Sequence, residues 1–220
     1  MFIKHLSSIL LTAGLCVTAG MLFGGCAGQQ KELQLELAQE RASVQDLQAE
    51  NEDLRVQLAQ KDEVVAQEIA MLEDSRQALM AALQGTGAGV ETSNNTLVVS
   101  LPSVLLFGPG QYALKKKSKK HLAKIAKVLK SNFPNATIRV AGYTDNTPIK
   151  KLKKKFKSNW ELSAARAGAV LHYFIDKGRI KPQNIYLAGF GAYHPVSSNS
   201  TAAGRKKNRR VAIVVLPEGG

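Results

Sequence analysis

Cysteine and acidic residues are scarce in the parts of the chain where catalytic or metal chemistry would need them. The two cysteines, Cys16 and Cys26, exclude a disulfide-stapled scaffold, and no cysteine and histidine spacing fits a zinc site. Residues 85–220 hold five Asp and Glu, so neither a catalytic carboxylate pair nor an acidic metal cluster is available. The G-x-S-x-G motif and a phosphate-binding loop are also missing. We therefore expect no enzyme activity, no cofactor and no metal.

Charge is divided unevenly along the 220 residues, although the whole chain carries +13. Residues 27–84 contain 5 basic and 12 acidic residues, whereas residues 85–220 contain 24 basic and 5 acidic residues. The chain therefore consists of physically different segments, and its length suits one ordinary domain with additions. We predict a signal peptide at 1–25, a lipid attachment site and coiled-coil stalk at 26–84, a Gly/Ser/Asn linker at 85–95, and a folded domain at 96–217.

An export signal is predicted at the N-terminus. A basic start precedes Leu6–Phe23, an apolar run without charge. Two glycines then precede Cys26, and this arrangement resembles a bacterial lipobox, although Phe23 stands where an aliphatic residue is usual. We expect lipid at Cys26 to attach the chain to the cell outer membrane, facing the periplasm. The alternative is an uncleaved anchor, since about 18 apolar residues are just enough to span a bilayer.

The stalk is predicted to be helical because residues 29–84 contain no proline and no glycine. With Leu37 at heptad position a, the a positions are apolar except for Asn51, while the d positions stop being apolar after Leu54. Leu33 to Leu58 is therefore predicted to form a coiled coil and to self-associate. The remainder is predicted to be a looser amphipathic helix, and the alternative is a single solvated helix that packs on its own domain.

The last part of the chain alternates strands and helices. Strands are predicted at Thr96–Leu101, Ala136–Tyr143, Asn184–Phe190 and Arg210–Leu216, and long helices at Lys117–Asn132 and from Ser158 to about Lys177. The second helix begins with a capping box formed by Ser158 and Glu161. The order βαβαββ predicts an α+β fold, a two-layer sandwich with helices on one face of the sheet.

Asp145 is the one acidic residue of this domain in a loop next to a predicted strand, and Arg166 lies in the capped helix. Asn159, Leu162, Ser163 and Arg166 share one helix face near its N-terminus. An aspartate and an arginine that face one ligand suit a zwitterion, because the carboxylate accepts an ammonium and the guanidinium grips a carboxylate. Alternatively, the two side chains pair with each other, and the spacing alone leaves both possibilities open.

Several ordered motifs resemble the OmpA-like peptidoglycan-binding domain. They are Gly142-x-Thr144-Asp145-Asn146, Ser158–Ala167, Gly189-x-Gly191, Gly204-Arg205 and Asn208–Val211, and the resemblance covers about Val104–Leu216. It implies a βαβαββ sandwich, in agreement with the element order, and a ligand in the diaminopimelate of peptidoglycan stem peptides. It further implies that Asp145 binds the ammonium and Arg166 the carboxylate. Asn159, Thr144, Leu162 and Ser163 are expected to line the pocket.

Three departures and two rival functions accompany this resemblance. Tyr143 replaces a commoner histidine, Gly108 replaces a frequent acid, and the longer loop Pro148–Lys157 is closer to the flagellar motor MotB branch.

A stator subunit needs an ionisable acid in its membrane segment, and residues 6–23 contain none. The lysine runs at 115–120 and 150–157 fit a solvated surface or an envelope polyanion. Nucleic acid is not expected for an exported chain, so we expect a non-enzymatic tether between membrane and peptidoglycan.

Overall fold

The computed structural model describes residues 26–93, 96–150 and 152–216. The predicted signal peptide, residues 1–25, lies outside the described residues. The chain divides into two compact units between Lys61 and Asp62, and the second unit contains the β sheet.

Helix α1 comprises Cys26–Ala82. The part of α1 in the first unit of the chain contains the predicted coiled-coil segment. Every described side chain from Gly28 to Lys61 is exposed. The helix is expected from its composition, since alanine, leucine, glutamate and glutamine dominate and glycine is absent after Gly28. Within the described residues, no helix has both the length and the apolar character needed to span a membrane.

The C-terminal end of α1 belongs to the folded domain, which differs from the predicted stalk. Leu72, Leu79 and Leu83 are buried in the same core as the sheet. The Asn132 side chain donates a hydrogen bond of 2.8 Å to Ser75 Oγ, and Ser75 is itself buried. These heptad positions therefore pack within their own chain because the domain offers them an apolar surface.

Part of the predicted flexible linker is an additional strand. Gly85 and Gly87 both have φ of 75°, so glycine allows the chain to reverse after α1. Strand β1, Gly89–Ser93, then pairs antiparallel with β2, Thr96–Pro102. The expectation of a flexible linker over residues 89–93 was wrong, because backbone hydrogen bonds to β2 hold this segment at the edge of the sheet.

The sheet has five strands in the order β1-β2-β5-β3-β4. The remaining strands are β3, Ile138–Gly142, β4, Ile185–Gly189, and β5, Arg210–Val215. The helices that follow α1 are α2, Ser103–Leu106, α3, Lys116–Asn132, α4, Asn159–Asp176, and α5, Ala202–Asn208. The predicted α+β class and the succession of long helices and strands are confirmed, with β1 and two short helices added.

The core lies between one face of the sheet and the helices. Alternate residues of the strands, such as Val140 and Ile213, meet apolar residues of α3 and α4, such as Leu122 and Phe174. Strands β3 and β4 are parallel, and α4 is the crossover between them. This βαβ unit brings the C-terminal end of β3 close to the start of α4.

Gly142 sets how closely β3 approaches α4. A Cβ atom at this position would lie 2.0 Å from the backbone oxygen of Ser163, a distance that no side chain can occupy. The start of α4 is fixed by the predicted capping box, in which Ser158 Oγ accepts from Trp160 N and the Ser158 N–H donates to Glu161. Residues 144–147, which follow β3, consequently lie against the first turns of α4.

Candidate functional site

A cavity of about 330 Å³ opens where the loop after β3 meets α4. Its lining contains five of the six predicted site residues, all except Ser163, together with residues of three other segments. They are Gly110, Thr144, Asp145, Thr147, Pro148, Ile149, Lys150, Leu152, Asn159, Leu162, Arg166 and Arg209. Charged groups thus sit beside apolar walls, as is common in pockets for small ligands.

Asp145 is 6% exposed and its two carboxylate oxygens have different partners. Oδ1 accepts a hydrogen bond of 3.1 Å from the Thr147 N–H, which closes a turn in the loop. Oδ2 forms an ion pair with the guanidinium of Arg209. A carboxylate has about four acceptor positions, so these two bonds leave capacity for another donor.

Arg166 is 8% exposed and does not pair with Asp145 among the described residues. Its Nε donates to the Gln111 carbonyl at 3.2 Å, and its guanidinium carbon lies 5.5 Å from the centre of the Phe107 ring. Burial lowers the pKa of Arg166, the charge of Arg209 lowers it further, and Asp145 opposes both effects. An arginine remains charged despite this, so a buried cation faces the cavity. Its terminal N–H groups have no hydrogen-bond partner among the described residues.

Asn159 and Thr144 shape the wall between these charges. The Asn159 side chain donates to the carbonyl oxygens of Asp145, at 3.3 Å, and Thr147, at 3.1 Å. The Thr144 N–H donates to the Gly191 carbonyl at 2.8 Å, whereas its hydroxyl oxygen is buried and has no hydrogen-bond partner within the described structure. Leaving a buried polar group unpaired costs free energy, so this hydroxyl is a strained feature of the cavity wall.

Ser163 is the predicted pocket residue that does not line the cavity. It is fully buried, its hydroxyl donates to the Trp160 carbonyl at 2.8 Å, and it accepts from the Gly191 N–H at 3.0 Å. Its hydroxyl is occupied by these two backbone groups. Ser163 therefore fixes the Gly191 loop to α4.

Arg209 lines the cavity and pairs with Asp145, but the sequence did not lead us to predict it as a site residue. It follows α5, and its neighbour Asn208 is fully buried with both amide atoms used. Asn208 Oδ1 accepts from the N–H groups of Val196 and Ser197, at 2.9 and 3.0 Å, and Nδ2 donates to the Ser197 carbonyl at 2.7 Å. The Asn208-Arg209 motif was visible in the sequence, but only the fold brings Arg209 to Asp145.

The loop over residues 148–157 contributes apolar walls as well as lysines. Ile149 and Leu152 line the cavity, while the described lysines of this loop are exposed. The Lys155 ammonium donates a hydrogen bond to the Tyr112 hydroxyl, and its Nζ lies 4.4 Å from the centre of the Tyr112 ring. The buried Phe156 packs edge-on against Tyr112, with ring centres 5.4 Å apart. These contacts attach the loop to residues beside Gln111.

Curated relatives match about half of the chain. Motility protein B of Bacillus subtilis (strain 168) is 36% identical over 123 residues, which is 56% of this chain and 46% of that protein. "Probable lipoprotein YiaD" of Escherichia coli (strain K12) is 34% identical over 135 residues, 61% of this chain and 58% of that protein. "Peptidoglycan-binding protein ArfA" of Mycobacterium bovis is 40% identical over 94 residues, 43% of this chain and 26% of that protein. The chain thus spans about half the length of the first two of these relatives.

Solved structures also resemble this chain. A MotB-like protein from Desulfovibrio vulgaris is 28% identical with a TM-score of 0.59, and the match covers 70% of this chain and 97% of that one. The cell wall anchor of the T6SS from Pseudomonas aeruginosa is 30% identical with a TM-score of 0.56, covering 65% of this chain and 99% of that one. The OmpA family model matches residues 106–209, which include every residue predicted for the pocket. The folded domain of this chain therefore belongs to the OmpA family.

Proposed function

We propose that this chain is a non-enzymatic tether of the bacterial envelope, whose domain binds the diaminopimelate of peptidoglycan stem peptides. The observation that carries the proposal is that Asp145 and Arg166 line one cavity without pairing with each other. In such a site the carboxylate accepts the ammonium of the ligand, and the terminal N–H groups of Arg166 grip its carboxylate. The names of two relatives, a cell wall anchor and a peptidoglycan-binding protein, support the same ligand class.

The charge balance of the cavity favours a ligand with more than one carboxylate. Arg166, Arg209 and Lys150 line it with positive charge, and Asp145 is the one acidic residue among its described lining residues. A plain zwitterion would leave this excess of positive charge unmatched. A stem peptide carries further carboxylates beside the zwitterionic end of diaminopimelate, so its overall charge complements the cavity.

Cosedimentation with diaminopimelate-type sacculi tests this proposal. The protein would be the chain from Ala27 onward, because residues from Asp62 to Leu83 contribute to the folded unit. We expect Asp145→Ala and Arg166→Ala each to abolish binding, while the exposed Tyr186→Ala retains it. Binding that survives both pocket substitutions and fades with salt would contradict the pocket and assign binding to the exposed lysines.

We further propose that lipid at Cys26 holds the other end of the tether in the outer membrane. Two glycines precede this cysteine after an apolar run, and the name of the related YiaD describes a lipoprotein. Replacing Cys26 by serine removes the thiol that would carry the diacylglycerol. In a bacterial host with an outer membrane, the Cys26→Ser protein should move from the membrane fraction to the soluble fraction. Unchanged partitioning would argue for an uncleaved anchor.

Self-association through residues 33–58 is proposed as part of the same tether. The seam side chains Leu33, Leu37, Val44, Leu47, Leu54 and Leu58 are exposed in a single chain. Glu36 and Glu50 occupy g positions, and Arg41 and Arg55 occupy the e positions five residues later. In a parallel pair in register, each g position faces the following e position of the second copy, so both pairs attract.

A unique cysteine distinguishes parallel from antiparallel association. The chain from Ala27 onward has no cysteine, so Leu37→Cys introduces one on the seam near one end of the coiled coil. A parallel dimer should form a disulfide-linked dimer on oxidation, whereas Gln45→Cys, on the outer face, should form none. Equal crosslinking of the two variants, or a monomer in sedimentation equilibrium, would overturn the parallel dimer.

A flagellar-stator-like wall anchor is the second candidate, and the similarity to motility protein B favours it. Both candidates use the same peptidoglycan site and differ in what the chain does in the cell. Deleting the gene should abolish swimming if the chain is a stator component. Normal swimming, together with loss of the protein from sedimented sacculi in the Arg166→Ala strain, would support the tether.

A further inference from the structure

A second groove adjoins the cavity that contains Asp145 and Arg166. Its volume is about 530 Å³, which lies within the range of small-molecule sites, about 300–1,000 Å³. Both depressions are lined by Pro148, Ile149 and Asn159, so they form neighbouring parts of one surface. A ligand that fills the first cavity and extends past Asn159 therefore enters the second groove.

Two exposed aromatic rings form one wall of this groove. Trp160 and Tyr193 are stacked, with ring centres 5.0 Å apart and an angle of 23° between the planes. Trp160 is 44% exposed and Tyr193 is 68% exposed. Aromatic rings usually bury most of their surface, so a stacked pair in solvent beside a groove is typical of a binding surface.

The backbone holds this aromatic pair in position. Trp160 lies in the first turn of α4, where its N–H is bonded to Ser158 Oγ at 3.1 Å. Tyr193 lies in the loop after β4, which Ser163 fixes to α4 by accepting the Gly191 N–H. Gly191 has φ of 54°, a left-handed conformation that lets the loop turn towards Trp160. The two rings are therefore arranged before any ligand arrives.

We propose that Trp160 and Tyr193 bind a sugar ring of the peptidoglycan glycan strand. This inference rests on the proposed peptide site, because the stem peptide is covalently attached to the glycan. One face of a pyranose ring presents C–H groups, which pack against the electron-rich face of an aromatic ring. The ring hydroxyls meet the polar side chains of Asn146 and Ser158, which also line the groove.

The charges of the groove fit the part of the ligand between peptide and sugar. Lys153 and Lys157 line it and are exposed, and no acidic residue occurs among the lining residues that the structure describes. The stem peptide segment next to diaminopimelate carries a carboxylate, which these lysines attract. The groove thus offers cations for this carboxylate and the aromatic pair for the sugar.

Calorimetry with two soluble ligands tests the sugar subsite on the chain from Ala27 onward. One ligand is the diaminopimelate tripeptide, and the other is the same tripeptide attached to its disaccharide. We expect the disaccharide to increase affinity about tenfold, a size typical of one stacked ring. Trp160→Ala and Tyr193→Ala should each remove this gain without changing affinity for the free tripeptide. Tyr186→Ala, an exposed tyrosine that lines neither depression, should keep the gain.

Trp160 is the single tryptophan of the chain, so its fluorescence gives a second readout. Its emission should change more strongly with the disaccharide ligand than with the free tripeptide. Equal affinity of the wild type for both ligands would overturn the sugar subsite and leave the peptide site intact. A gain that persists in both aromatic variants would also overturn it, whereas binding of neither ligand would overturn the proposed function itself.

Discussion

Asp145 is paired with Arg209, which lies 64 positions further along the chain, and not with Arg166. The ion pair neutralises the Asp145 carboxylate within the protein. In the described parts of the chain, Arg166 then has a single hydrogen bond, to the Gln111 carbonyl. Such an arrangement separates two tasks. Arg209 holds the buried carboxylate in position, while Arg166 keeps its terminal N–H groups for a ligand.

The unfolding free energies of single and double variants should distinguish the role of Arg209 from that of Arg166. In a cycle of Asp145→Asn and Arg209→Gln, we expect a coupling free energy of about 1–2 kcal/mol, because one partner is buried and the other is partly exposed. The cycle of Asp145→Asn with Arg166→Gln should give a clearly smaller value in the free protein. Urea denaturation measures both cycles, and equal coupling energies would contradict the assigned pairing.

Ligand binding should require the guanidinium shape at position 166 as well as its charge. Arg166→Lys keeps the positive charge but loses the two-pronged contact with a carboxylate, so we expect affinity for the diaminopimelate tripeptide to fall at least about tenfold. Lys206→Gln, which removes an exposed charge from α5, is the matched control and should change affinity little. Calorimetry gives both values, and wild-type affinity for Arg166→Lys would exclude the bidentate contact.

Replacing each of two glycines by alanine should have different effects on the unfolding free energy. Gly142→Ala places a Cβ atom 2.0 Å from the Ser163 carbonyl oxygen, so strands and helix must separate, and we expect a loss of about 3 kcal/mol or more in unfolding free energy. Gly168 lies inside α4, and its added Cβ would be 3.6 Å from Leu187. Because alanine favours helix, Gly168→Ala should be neutral or stabilise by up to about 1 kcal/mol. Thermal and urea unfolding compare the two variants.

Two leucines at the same heptad position of α1 should have different roles. Leu79 is fully buried in the domain core, whereas Leu58 is 60% exposed in the single chain. We expect Leu79→Ala to lower the unfolding free energy by about 2–4 kcal/mol. Leu58→Ala should leave domain stability within about 0.5 kcal/mol and weaken self-association instead. Urea denaturation and sedimentation equilibrium separate these outcomes. A small change in unfolding free energy for Leu79→Ala would mean that the C-terminal end of α1 is not part of the domain core.

The capping box at the start of α4 should make stability depend on pH. The hydrogen bond from Ser158 and further bonds to backbone lower the pKa of Glu161 from its ordinary value of 4.5. A carboxylate whose pKa is lower in the folded state stabilises that state above pH 4.5 and loses this contribution as pH falls through the folded pKa. The stability difference between the wild type and Glu161→Gln should therefore be full at pH 7 and shrink below pH 4.5. A difference that is constant from pH 7 to pH 3 would exclude the carboxylate as its source.

Local signals in the sequence determined the elements that depend on neighbouring residues. The capping box at Ser158 and Glu161, the amphipathic pattern of α3, and the absence of proline from α1 each predicted an element that the structure contains. The spacing of Asn159, Leu162 and Arg166 also predicted one helix face correctly, since all three line the cavity. These features follow from helix geometry, which needs no information about distant parts of the chain.

The tertiary structure alone decided which distant groups meet. The partner of Asp145 and the burial of Leu79 depend on contacts between residues far apart in sequence. The Ser163 hydroxyl, which we expected to line the pocket, instead accepts from the N–H of Gly191, 28 residues further along the chain. Periodicity assigns a residue to a face of its own element, and only packing decides what that face contacts.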